Sequence, residues 1–130
     1  MNGAYHFVYS GDIGVGMGVF TVTDGTFVGI DLGGVRYRGL VKEDPNSGEI
    51  ELTFDMTVPA GITLVQGTSP QGVPITRHAP AQKIPPAFGN GAPFKIEVPP
   101  GFIWVMVKRT TDDCASWVNA VRFQITPLSA

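Results

Sequence analysis

A chain of 130 residues with 43% hydrophobic and 15% charged content and a formal net charge of -2 reads as one folded domain spanning 1–130. The near-neutral balance and scattered basic residues argue against a nucleic-acid binder. No apolar run reaches the ~18 residues of a membrane helix, and "MNGAYHFVYS" lacks the pattern of a signal peptide, so a cytoplasmic protein without a membrane span is expected.

With 17 glycines and 11 prolines, the composition is that of a turn-rich all-β protein. "AYHFVYS" alternates and predicts a strand over 4–10. The next stretch, "GDIGVGMGVF", raises the question of a phosphate-cradling loop. A dinucleotide fingerprint needs glycine at relative positions one, three and six before a helix. Counting from Gly14 or Gly16, position six is Val19 or Thr21, and a β run follows. The stretch therefore predicts a turn and a strand over 16–22. Gly14, Gly16 and Gly18 share one face, where a neighbour crosses or the sheet bends.

Asp24-Gly25 is a strong hairpin signal. It leads into strands over 26–31 and, after Gly33-Gly34, over 35–42. "DPNSG" turns the chain into the strand over 49–58. There Ile50, Leu52, Phe54, Met56 and Val58 alternate with polar residues, the mark of a strand with one face in the core. A sixth strand is expected over 62–66. Residues 67–93 hold Pro70, Pro74, Pro80, Pro85, Pro86 and Pro93 and read as a long loop, either a cover for an open edge or a binding loop. Strands resume over 93–98 and 102–109. "FIWVMV" is apolar on both faces, which suggests core inside and a second chain outside. "TDDCASWVNAV" allows a short helical turn, and "AVRFQITPL" reads as a last strand. Eight or nine antiparallel strands close best as a small up-and-down barrel, with a two-sheet sandwich as the alternative.

The chemistry-bearing residues are sparse. Cys114 is the single cysteine and has neither His6 nor His78 near it in sequence, so no metal spacing and no nucleophile pair appear. No catalytic residue or cofactor is expected. A third option, an enzyme using carboxylate pairs inside the barrel, requires a polar cavity that the alternation does not favour. A barrel of eight strands can instead hold one apolar ligand, with Phe54, Met56, Trp104 and Met106 as the expected lining.

The order "NGAYHFVYS", "GVGMGVFTVTDGTFVGID", "VRYRGLVKED" resembles the small negative regulators of type III secretion. Gly3, Tyr5, Gly16, Gly18, Asp24, Gly25, Asp31, Tyr37 and Gly39 carry the resemblance, which covers about residues 1–65. It implies a lipocalin-like barrel, a homodimer, and a non-enzymatic regulator that binds a partner protein, a transcriptional activator in that family. The partner-binding acidic loop would fall at Glu43 and Asp44. The same two residues also fit an ordinary charged turn.

Overall fold

The computed structural model describes residues 1–11, 14–59, 75–99 and 101–110. Eight strands follow one another: β1 (Gly3–Gly11), β2 (Gly14–Thr23), β3 (Thr26–Asp31), β4 (Arg36–Glu43), β5 (Ile50–Val58), β6 (Ile75–Ile84), β7 (Phe94–Val98) and β8 (Gly101–Arg109). All pairings are antiparallel, and the sheet order β6-β5-β4-β3-β2-β1-β8-β7 curls into a nearly closed barrel. The sequence neighbours β6 and β7 meet at the seam, whereas β1 and β8 form a regular ladder.

Alternation decides the two faces. β5 reads buried, exposed, buried from Ile50 to Met56, and β3 does the same from Phe27 to Asp31. The inward side chains build a belt of rings. Tyr5 stacks on Phe20 at 4.9 Å, Phe20 meets Phe27 at 5.0 Å, and Tyr37 packs on Phe54 at 6.1 Å. Pairs of this kind contribute about 1 kcal/mol each beyond the area they bury.

The glycines of "GVGMG" sit within β2. In the ladder Gly16 lies opposite Tyr9 and Gly18 opposite Phe7. A Cβ on Gly18 would lie 2.8 Å from the Phe7 Cζ and from the Asp31 Cα, and a Cβ on Gly16 would enter the Tyr9 ring. The missing side chains are what let two aromatic rings lie flat against the wall. The Asp24-Gly25 hairpin also forms, with φ of 49° and 83° at its two residues, as a two-residue turn matched to strand twist requires.

One expectation is corrected. Residues 67–93 are not one loop, because β6 runs from Ile75 to Ile84 and pairs with β5. Pro80 fits because Pro80 and Ala81 bulge opposite Thr53, between the Gln82–Leu52 and Ala79–Phe54 pairs. A proline without an amide donor is tolerated at a bulge on an edge strand. The expected strand over 62–66, the helical turn near Asp112-Asp113 and the last strand lie outside the described residues.

The seam is held by side chains. Gln82 donates to the Glu97 carbonyl at 3.0 Å and accepts from the Glu97 amide at 2.8 Å. Its carboxamide thus replaces one backbone pair. Arg77 Nη1 donates to the Pro99 carbonyl at 3.2 Å. Both residues occupy inward register positions of β6, opposite Leu52 and Met56.

Candidate functional site: the barrel interior and a buried carboxylate

The belt of rings does not fill the barrel. A cavity of about 400 Å3 remains, within the size range of small-molecule sites. Its wall is mostly apolar, with Phe7, Phe20, Phe27, Phe54, Met56 and Val105 among the lining residues. The ring-lined end near Tyr5 is stoppered. Phe88, carried by the turn in which its amide donates to the Pro85 carbonyl, packs on Tyr5 at 5.3 Å. The Arg109 guanidinium lies 4.9 Å from the Tyr5 ring, and its Nη2 donates to the Tyr5 hydroxyl at 2.9 Å.

The opposite end carries the polar feature. Asp31 closes β3 on its inward register and is buried. Its Oδ1 accepts from the amides of Gly33 at 2.9 Å and Val35 at 3.1 Å. Its Oδ2 accepts from the hydroxyls of Tyr9 at 2.6 Å and Tyr37 at 2.8 Å. Two oxygens offer about four acceptor sites, so the side chain is saturated. A buried carboxylate is retained only when so compensated.

The tyrosines answer to the same environment. Burial pushes the Tyr9 hydroxyl well above the ordinary tyrosine range, and the Asp31 hydrogen bond and charge push it further. Burial also comes first for Tyr37, followed by the neighbouring Tyr9 and Asp31. Both therefore stay protonated and spend their protons on Asp31. They cannot act as general bases near neutral pH.

Of the expected lining, Phe54 and Met56 face the cavity. Trp104 and Met106 do not, and this is a correction. On β8 the inward residues are Ile103, Val105 and Val107, so Trp104 and Met106 point outward. They pack with Val8, Val15 and Met17 in a second apolar cluster on the outside of β8, β1 and β2. The apolar run "FIWVMV" has two buried faces without telling which face looks in.

Glu43 and Asp44 lie at the stoppered end and are not joined to the cavity. Asp44 accepts from the amides of Asn46 at 2.8 Å and Ser47 at 3.3 Å, which holds its carboxyl below the usual range. Glu43 Oε1 lies 3.7 Å from the Met1 amino nitrogen. Both residues border a shallow groove with Lys42, Glu49 and Lys83.

The residues missed from sequence are Tyr9, Asp31 and Tyr37 as one constellation. The available signal was register: Phe27 and Asp31 share the inward face of β3, and an inward Asp must find donors. Among the described residues, no group of three His, Cys, Asp or Glu side chains is placed to hold a metal, and no helix is long and apolar enough to cross a membrane. The chain matches no family model and no curated protein.

Proposed function

We propose that this barrel is a non-enzymatic binding protein that carries a small apolar molecule in its interior. The observation that carries the reading is the cavity of about 400 Å3, walled among the described residues by aromatic and aliphatic side chains and marked there by one polar cluster. Apolar walls give water few partners, so a ligand is the better filling. Native mass spectrometry of gently purified protein is expected to show a bound lipid-like mass that organic extraction removes. Protein that carries no such mass, and that takes up neither dodecane nor dodecanol when offered them, contradicts the proposal.

A second reading is favoured by the outer wall. Val19, Val28 and Ile30 are 42–44% exposed on neighbouring outward positions of β2 and β3, and Leu32 is 80% exposed just beyond them. Such a patch suits a protein partner, in line with the resemblance to type III secretion regulators and with a homodimer. Sedimentation of wild-type protein and Ile30→Lys tests the homodimer: a dimer converted to monomer supports it, and a monomer in both cases counts against it. Pull-downs with Glu43 and Asp44 changed to lysine test the acidic loop. Loss of a captured activator is expected if that loop binds.

A further inference from the structure

The cavity has a polar end, and its hydrogen-bonding capacity can be counted. Asp31 has no acceptor site left, because two amides and two hydroxyls occupy both oxygens. The Tyr9 and Tyr37 hydroxyl protons are committed to Asp31. What the two tyrosines can still offer is oxygen lone pairs, which accept and cannot donate. Beside them sits a carboxylate. Four donors surround its two oxygens, and Asp31 is the one Asp, Glu, Lys or Arg among the described lining side chains.

Arg77 stands on the inward face of β6, where its Nη1 donates across the seam to the Pro99 carbonyl and its buried Nε has no hydrogen-bond partner, but it is not among the residues lining the cavity. The Met1 amino nitrogen, at the stoppered end, has Glu43 at 3.7 Å. An anionic head placed against the Tyr9 and Tyr37 oxygens would meet a like charge on Asp31 and find no proton on either hydroxyl to accept, the arrangement by which sites reject a wrong partner.

We propose that the interior takes an apolar molecule whose head donates a hydrogen bond and carries no negative charge, an alcohol or amine, seated against the Tyr9 and Tyr37 oxygens with its tail along the ring-lined wall. This rests on the carrier reading and specifies its ligand. The cavity has room for roughly a dozen water-sized groups, taking about 30 Å3 for each, which suits a tail of about that many carbons.

Isothermal titration calorimetry of the full chain with dodecanol, dodecylamine, dodecanoate and dodecane tests both levels separately. Dodecanol and dodecylamine are expected to bind at least about tenfold more tightly than dodecanoate. Dodecanoate binding as tightly as dodecanol overturns the head-group assignment while the carrier reading stands. No binding by any of the four, dodecane included, overturns the carrier reading and this assignment together. Asp31→Asn adds a readout that a purely structural role would not move. Its amide donates to the tyrosine oxygens and frees their protons, so the preference for dodecanol over dodecanoate is expected to shrink several-fold. A folded Asp31→Asn protein with an unchanged preference contradicts the assignment, and the wild-type series decides it even if that variant does not fold.

Discussion

The two ends of the barrel carry opposite chemistry. At one, Phe88 packs at a tilt on Tyr5 beside the Arg109 guanidinium, and the plug is made of rings and a cation. At the other, a buried carboxylate gathers two amides and two phenols. A ring plug needs only apolar surface and excludes water without specifying anything. A buried carboxylate is costly unless every acceptor site is filled, and it gives the cavity a direction. The interior is thus apolar along most of its wall and polar at one end.

Breaking the polar end should have the largest effect. Asp31→Ala leaves the Gly33 and Val35 amides and two phenols without their acceptor, and is expected to cost about 4 kcal/mol, as a lower midpoint in urea unfolding. Phe88→Ala at the plug should cost about 3 kcal/mol and leave the dodecanol-to-dodecanoate ratio unchanged. A changed ratio there would erase the distinction between the ends. Gly18→Ala, in the wall between them, pushes a methyl toward Phe7 and the Asp31 backbone. It should cost about 2 kcal/mol. Gln82→Ala removes two bonds across the seam, should cost about 1 kcal/mol, and should speed hydrogen exchange at the Glu97 amide.

The pH dependence sharpens the same contrast. Tyr9 and Tyr37 have folded pKa values raised above the ordinary tyrosine value, so the folded protein holds these protons more tightly than the unfolded chain does. Their contribution is complete below about pH 10 and falls as pH rises beyond it toward the folded values. Ultraviolet titration should show two tyrosines ionising only as the fold opens. Ionisation of Tyr9 and Tyr37 in the ordinary range, with the fold intact, would count against the buried polar cluster.

Much of this was legible in the residues. Strict alternation in "IELTFDMTV" and the Asp24-Gly25 turn specify β5 and the β2–β3 hairpin locally, and the spacing of Gly16 and Gly18 states a packing need that Tyr9 and Phe7 fulfil. β6 was hidden by Pro80, because the bulge that accommodates a proline depends on its partner strand. The outward direction of Trp104 and Met106 is not legible, because an apolar run carries no sign of which face looks in. The Asp31 cluster draws on β1, β3 and β4, and Tyr9 and Asp31, 22 positions apart in the chain, meet only after the barrel curls.

The central claim is a ligand in the interior with its head at Asp31. A crystal structure of the protein grown with dodecanol tests it most directly. The account predicts a tail along Phe7, Phe27 and Phe54, with a hydroxyl within hydrogen-bonding distance of the Tyr9 or Tyr37 oxygen. An interior closed by its own rings, with the alcohol absent or bound only on the outer wall, would contradict it.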